Sequence, residues 1–213
     1  MFLLNDEIKF PNVKFADQNG LLAIGGDLST ERLKLAYKSG IFPWYSGGQP
    51  ILWHCPDPRM VLYPDALKIS KSMRQIMRSN RFQVTFNQSF DEVIRNCKTI
   101  NRSKQGEEGT WITDEMQQAY INIHKEGWAK SVEVWEDKEL VGGLYGVEVG
   151  SVFCGESMFS KVSNTSKLAL IALVQNNTAY QLIDCQVYND HLASLGAQEI
   201  ARERFLDHLK QGH

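Results

Sequence analysis

A run of three predicted strands near the middle of the chain constrains the fold more than any other stretch. Residues 131–136 alternate along a half-buried strand, and Asp137-Lys138 supply a tight turn. Residues 139–147 are predicted to form the second strand, antiparallel to the first. Glu148-Val149-Gly150 are predicted to form another turn, and residues 151–154 the third strand. Consecutive strands joined by short turns predict a sheet on which the rest of the chain packs.

The segments after these strands extend the sheet. Residues 168–174 predict a buried helix, and residues 182–186 a strand. Residues 191–195 form a short helix, and residues 198–202 a last strand. This β-β-β-α-β-α-β order predicts an α+β fold and resembles the acetyltransferase (GNAT-type) fold, with a mixed sheet.

The N-terminal part has a different composition, because glycines and prolines punctuate it. We therefore predict a small N-terminal domain at 1–62 and a catalytic domain at 63–213. One helix is expected in the small domain, begun by Ser29 and ended by Gly40. Three more helices are predicted before the central strands, with apolar positions at Ile69, Met73, Ile76 and Met77, at Phe90, Val93, Ile94 and Cys97, and at Met116, Tyr120 and Ile123.

One segment bears on the cofactor. Acetyltransferase-like enzymes hold the pyrophosphate of coenzyme A in a glycine-rich turn at a helix N-terminus. The matching stretch, residues 160–167, contains no glycine. The fold is therefore predicted without that cofactor, and we expect none.

Basic residues concentrate between positions 68 and 104, in a chain whose formal net charge is -2. They are Lys68, Lys71, Arg74, Arg78, Arg81, Arg95, Lys98, Arg102 and Lys104, against the acids Asp91 and Glu92. They form either a solvated helix face or a phosphate-binding surface, whose affinity would depend on salt.

Several aromatic residues lie in or beside turn-rich segments, namely Trp44, Tyr45, Trp53, Trp111 and Tyr120. An aromatic ring that stacks on a base contributes about 1–3 kcal/mol, which would suit a single-stranded RNA end. The alternative is that Trp44 and Trp53 pack the small domain onto the large one.

Two polar residues interrupt the apolar strand at 182–186. Strand alternation places Asp184 and Gln186 on one face and turns Cys185 away. A buried carboxylate is costly unless it is hydrogen-bonded or functional, so a structural bond to the backbone is the alternative. A thiol nucleophile, Cys185 or Cys154 with His191, is disfavoured by this geometry. The histidines show no metal-ligand spacing, so no metal is expected.

Seven blocks, in order along nearly the whole chain, together resemble leucyl/phenylalanyl-tRNA–protein transferases. They are Gly20-Leu-Leu-Ala-Ile-Gly-Gly-Asp-Leu-Ser29, Gly40-Ile-Phe-Pro-Trp-Tyr45, Pro56-Asp-Pro-Arg59, Gly109-Thr-Trp-Ile-Thr113, Leu140-Val-Gly-Gly-Leu-Tyr-Gly146, Gly155-Glu-Ser-Met-Phe-Ser160 and Ile183-Asp-Cys-Gln186. The resemblance implies an aminoacyltransferase that moves Leu or Phe, in some members Met, from aminoacyl-tRNA to a protein with N-terminal Arg or Lys. The product of such a reaction would enter N-end rule degradation.

The resemblance also implies roles for individual residues. It places Trp44, Trp111, Tyr37 and Tyr120 at the terminal adenosine, where they would stack. It places Leu144, Phe153, Leu170, Leu173 and Ile183 around the aminoacyl side chain. It places Asp184, Gln186 and Glu156 at the reacting centre, and Lys71, Arg74 and Arg78 against tRNA.

The implied chemistry needs no covalent nucleophile, because the aminoacyl ester is already activated. We hypothesise that Asp184, acting through Gln186, orients the acceptor amine and takes its proton. Glu156 would hold the amino group of the donor or the cation of the acceptor. Regular alternation would place Phe153 and Glu156 on opposite faces, so we predict a β-bulge at Gly155.

Two other functions remain open: a coenzyme A-dependent N-acetyltransferase of the same fold, and a non-catalytic RNA-binding module. The sequence shows neither a signal peptide nor a stretch of about 20 apolar residues. We therefore expect a cytoplasmic monomer without a membrane partner.

Overall fold

A computed structural model describes residues 2–99 and 112–211. The strands are β1 Phe2–Leu4, β2 Leu21–Gly25, β3 Phe42–Pro43, β4 Leu52–His54, β5 Arg59–Leu62, β6 Gln83–Phe86, β7 Ala129–Glu136, β8 Glu139–Val149, β9 Val152–Ser160, β10 Leu182–Gln186 and β11 Gln198–Ile200. The α-helices are α1 Thr30–Lys38, α2 Lys71–Arg78, α3 Phe90–Thr99, α4 Asp114–Lys125, α5 Thr165–Asn176, α6 Asp190–Ser194 and α7 Arg202–Gln211.

The small N-terminal sheet has the strand order β1-β2-β4-β3. Its strands are too short for their periodicity to be read in the sequence, and they were not predicted individually. Helix α1 packs beside them and begins as predicted, because the Ser29 hydroxyl accepts the backbone N–H of Arg32. Gly40 follows the helix with a φ of 75°, which permits the turn into β3.

The large sheet has the order β11-β5-β10-β9-β8-β7-β6. Strands β9 and β10 run parallel, with α5 as their connection, and the other neighbours are antiparallel. The predicted α+β class is confirmed, with a small N-terminal domain and a mixed-sheet domain.

Strand β5 changes the predicted domain boundary. Residues 59–62 were assigned to the small domain, yet they pair with β10 and β11 in the large sheet. All four are buried, because β5 lies between two neighbours and has apolar layers on both faces. The chain therefore passes from one sheet to the other before Arg59.

Helices cover both faces of the large sheet. One apolar cluster contains residues of α3 and α4 together with the small domain, and the other contains α5. Helix α5 lies close to β8, since a Cβ atom on Gly142 would be 2.2 Å from the Thr165 hydroxyl oxygen. Among the described residues, no helix is long and apolar enough to cross a membrane. Helix α7 was not predicted.

Candidate active site

A cavity of about 440 Å³ opens between the two domains, where the parallel strands β9 and β10 lie side by side. Its apolar part includes four of the five residues predicted for an aminoacyl pocket, Leu144, Phe153, Leu170 and Ile183. The fifth, Leu173, is buried in the same apolar cluster but is not part of the cavity wall. The cavity has the size of a small-molecule site, and its apolar part can receive a medium-sized side chain.

A β-bulge in β9 brings Glu156 to this cavity. Tyr145 on β8 pairs with Ser157, whereas the next residue, Gly146, pairs with Gly155, so Glu156 is the extra residue. Phe153 and Glu156 consequently line the same cavity. The bulge predicted at Gly155 is thus confirmed.

A second irregularity lies in the neighbouring strand β10. Asp184 pairs with Val61 and Gln186 with Met60, which leaves Cys185 as an extra residue. Gln186 has a φ of 65°, a left-handed conformation that a non-glycine residue adopts at a cost of about 1–3 kcal/mol. The predicted alternation is therefore wrong here, because Asp184, Cys185 and Gln186 all line the cavity.

The two bulges place the side chains of Glu156 and Gln186 in contact. The amide nitrogen of Gln186 donates to Oε1 of Glu156 at 2.6 Å, and the Tyr120 hydroxyl donates to Oε2 at 2.8 Å. Burial raises the pKa of Glu156 to about 7, and these hydrogen bonds offset only part of that effect. Near neutral pH, Glu156 can therefore exchange a proton with a bound group.

Tyr37 and Tyr120 form a buried layer beneath Glu156. Their hydroxyl oxygens lie 2.5 Å apart, and the rings are 2% and 0% exposed. Stacking on an adenosine was predicted for both, but a buried ring offers no face to a base. Their position instead makes them supports of the Glu156 carboxylate.

Asp184 is held by a buried cation. Its two carboxylate oxygens accept hydrogen bonds from Nε and Nη2 of Arg59 at 2.8 and 2.7 Å. Oδ1 also accepts the backbone N–H of Gln186 at 2.9 Å, and the residue is 0% exposed. Both carboxylate oxygens are occupied by donors of the protein itself, so the structure argues against the predicted role of Asp184 as the base. It orients Gln186 instead.

Trp44 stands at the rim of the cavity directly after β3. It is 41% exposed, and its ring packs edge-on against His54 at 5.6 Å between centroids. Trp53, in contrast, is fully buried and donates its ring N–H to the Gly25 carbonyl. Trp44 can therefore stack on a ligand. Trp53 instead has a structural role in packing, which was the predicted alternative for both tryptophans. Trp111 lies outside the described residues.

Comparison with known proteins identifies the family. The leucyl/phenylalanyl-tRNA protein transferase model matches residues 61–210, and the model of the N-terminal domain of that transferase matches residues 26–57. The chain belongs to the leucyl/phenylalanyl-tRNA protein transferase family. The predicted enzyme class, a tRNA-dependent aminoacyltransferase, is confirmed with it.

Relatives within this transferase family are similar over most of their length. The transferase of Flavobacterium johnsoniae is 61% identical over 212 residues, which cover 99% of each chain. That of Syntrophus aciditrophicus is 58% identical over 95% of this chain and 84% of its own.

Solved structures give distant similarities. A conserved protein of unknown function from Bacteroides thetaiotaomicron has a TM-score of 0.47 and 10% identity, over 84% of this chain and 66% of its own. A GCN5-related N-acetyltransferase from Kribbella flavida has a TM-score of 0.33 and 10% identity, over 79% of this chain and 60% of its own.

The basic residues of the transferase separate into paired and unpaired groups. Lys71, Arg74 and Arg78 on α2 are exposed, and none of them forms a salt bridge with another described residue. Arg81 and Lys98 pair with Glu136 and Asp114, respectively. Arg102 and Lys104 lie outside the described residues. Helix α2 thus offers three cations to a ligand.

The two cysteines near the cavity, Cys154 and Cys185, are unsuited to nucleophilic catalysis. Burial raises the pKa of both Cys154 and Cys185, which disfavours the thiolate. His191 lines the same cavity as Cys185, but no hydrogen bond between them is present. Within residues 2–99 and 112–211, no group of three His, Cys, Asp or Glu residues could hold a metal ion.

Sequence reasoning missed the importance of Arg59. The residue belongs to the block Pro56-Asp-Pro-Arg59, but nothing in its spacing connects it with a strand 125 positions later. The available signal was Asp184 itself, because a carboxylate in an apolar strand requires a buried partner.

Proposed function

We propose that this protein transfers leucine or phenylalanine, with methionine as a further donor, from aminoacyl-tRNA to the N-terminal Arg or Lys of acceptor proteins. The product would be marked for N-end rule degradation. The observation that carries the proposal is the apolar cavity with Glu156 at its wall and the exposed ring of Trp44 at its rim.

The apolar cavity supports the proposed donors. Leu144, Phe153 and Ile183 would surround the aminoacyl side chain, and Trp44 would stack on the terminal adenosine of the tRNA. Trp111 belongs to the same proposed base-binding set. An apolar pocket discriminates one methylene by only about 1–3 kcal/mol, which is consistent with several accepted donors.

The reaction forms an amide bond and breaks the aminoacyl ester. The acceptor amine, whose ordinary pKa is about 7.7–8.0, attacks the ester carbonyl, and the tRNA 3′ end leaves as the alcohol. Glu156 has the pKa suited to take the proton that the attacking amine loses and to pass it to the departing 3′ oxygen, and Gln186 orients Glu156 through its side-chain amide. Alignment of the amine and the ester supplies much of the acceleration, up to about 7–11 kcal/mol.

The proposal is tested by a transfer assay with labelled Leu-tRNA and matched acceptor peptides. We expect label in peptides with N-terminal Arg or Lys, and much less in a peptide with N-terminal Asp or in the acetylated Arg peptide. Absence of label from the Arg and Lys peptides, while a related transferase labels them under the same conditions, would refute the proposed function.

Helix α2 is proposed to bind the tRNA backbone. Replacement of Lys71, Arg74 and Arg78 by glutamine should weaken tRNA binding and lower the slope of log Kd against log salt by roughly two to three, since each phosphate contact contributes about 0.9. The matched control neutralises Lys9, Lys14 and Lys210, which lie elsewhere on the surface. Equal salt slopes for the α2 variant and the unaltered protein would contradict this role.

Tyr120 should control the pH dependence of transfer. The Tyr120→Phe change removes a hydrogen bond that stabilises the Glu156 carboxylate, so the pKa of Glu156 should rise above about 7. The acid limb of the pH–rate profile should then move to higher pH by about one to two pH units, because one hydrogen bond to a charged group contributes about 1.5–3 kcal/mol. Tyr63→Phe, which loses a bond to His208 instead, should leave the profile in place. Identical profiles for all three proteins would exclude this function of Tyr120.

A further inference from the structure

Arg59 has contacts in three directions. Beyond its two bonds to Asp184, its Nη1 donates to the Gly40 carbonyl at 3.1 Å. Its guanidinium contacts two aromatic rings, 4.7 Å from the centroid of Phe42 and 4.5 Å from that of Phe205. The guanidinium is therefore fixed in position and in orientation.

The contacts with Gly40 and Phe42 lead to the base-binding side of the cavity. Gly40 precedes β3, Phe42 begins it, and Trp44 follows it directly. The backbone N–H of Trp44 donates to the Leu52 carbonyl, which continues the pairing between β3 and β4. Movement of Phe42 would consequently move the ring of Trp44.

The contacts with Asp184 lead to the reacting side. Asp184 accepts the backbone N–H of Gln186, and the Gln186 amide donates to Glu156. Gln186 holds a left-handed backbone conformation, which persists only where its surroundings impose it. The Arg59–Asp184 pair is a major part of those surroundings.

We propose that Arg59 is a positioning residue that sets the distance between the base-binding Trp44 and the reacting pair Glu156 and Gln186. This inference rests on the proposed function. Arg59 itself is 1% exposed and is not part of the cavity wall, so it acts through Asp184 on one side and through Phe42 on the other.

The proposal is tested by a double-mutant cycle on leucyl transfer with Arg59→Lys and Trp44→Ala. Lysine keeps the charge but loses the planar two-bond geometry, and a displacement of about 1 Å can lower the rate about 100-fold. In the unaltered protein, Trp44→Ala should lower kcat/KM about 5- to 150-fold, as expected for the loss of one stacked base. In the Arg59→Lys protein, the decrease in kcat/KM caused by Trp44→Ala should be at least about three times smaller, because the base and the ester are no longer aligned.

The matched control is Arg32→Lys. Arg32 is as deeply buried, and it bonds the carbonyls of Asn5 and Glu7 and the Asp27 carboxylate, away from the cavity. Its replacement should lower the midpoint of thermal unfolding. The decrease in kcat/KM caused by Trp44→Ala should be the same in the Arg32→Lys protein as in the unaltered protein.

A gentler variant, Phe205→Leu, keeps the inference testable if Arg59→Lys does not fold. It removes one of the two rings that contact the guanidinium and should give a smaller reduction in the effect of Trp44→Ala on kcat/KM. The positioning role is overturned if Trp44→Ala lowers kcat/KM as much in the Arg59→Lys protein as in the unaltered protein. If only Phe205→Leu folds, the same comparison is made in that protein. In either case, leucyl transfer by the unaltered protein leaves the proposed function intact. No transfer by the unaltered protein would overturn both.

Discussion

Glu156→Gln is expected to lower the kcat of leucyl transfer about 10²- to 10⁴-fold, the range associated with a general acid or base. Glutamine occupies nearly the same volume but cannot accept the proton of the attacking amine. Steady-state kinetics with Leu-tRNA and an Arg-peptide, measured between pH 6 and 9, give both the size of the loss and the pH profile. The limb set by Glu156 near pH 7 should disappear, leaving the dependence of the acceptor amine near pH 7.7–8.0.

The division of the effect between kcat and KM distinguishes two roles of Glu156. A proton acceptor acts only in the transition state, so its loss lowers kcat and kcat/KM equally. A residue that merely holds the donor amino group or the acceptor cation would raise KM with kcat unchanged. Glu148→Gln is a suitable control, because Glu148 accepts a hydrogen bond from Tyr180 and does not line the cavity. A normal kcat in the Glu156→Gln enzyme would rule out proton transfer by this residue.

Asp184→Ala is expected to lower the free energy of unfolding by about 3–5 kcal/mol. The change leaves the Arg59 guanidinium buried without its carboxylate, and the penalty of an unpaired buried charge exceeds the value of the bonds lost. Urea unfolding followed by circular dichroism measures the difference. The exposed pair of Asp207 and Lys210 offers the control, since Asp207→Ala should change stability by less than about 0.5 kcal/mol.

The double variant Asp184→Ala with Arg59→Met tests the cause of this destabilisation. Replacement of both charges by apolar groups removes the unpaired cation, so much of the lost stability should return. Transfer activity should stay low, because Gln186 still lacks the acceptor for its backbone N–H. A double variant no more stable than Asp184→Ala alone would show that the unpaired charge is not the cause.

Local patterns predicted the large sheet well, because its central strands follow one another and alternate clearly. The turn at Asp137-Lys138 lies where it was expected, and both residues have positive φ. The Ser29 cap likewise fixed the start of α1. In each case the interactions join residues a few positions apart, which is the range over which periodicity and turn chemistry carry information.

Contacts between residues far apart in the sequence could not be predicted from such local patterns. Strand β5 precedes the large domain in sequence, yet it inserts between β10 and β11. The Tyr37–Tyr120 contact spans 83 positions, and the Arg59–Asp184 pair spans 125. The resemblance identified both tyrosines and Asp184, but only the packed structure shows that they support the cavity from behind.

The bulge in β9 has a consequence for how such an enzyme can arise. Glu156 has no partner in β8, so the ladder on either side of it would be continuous if this single residue were absent. Insertion of one codon into an ordinary strand is therefore sufficient to introduce the carboxylate without altering the pairing of its neighbours. The sheet could acquire, or lose, this buried carboxylate in a single evolutionary step while the scaffold stayed the same.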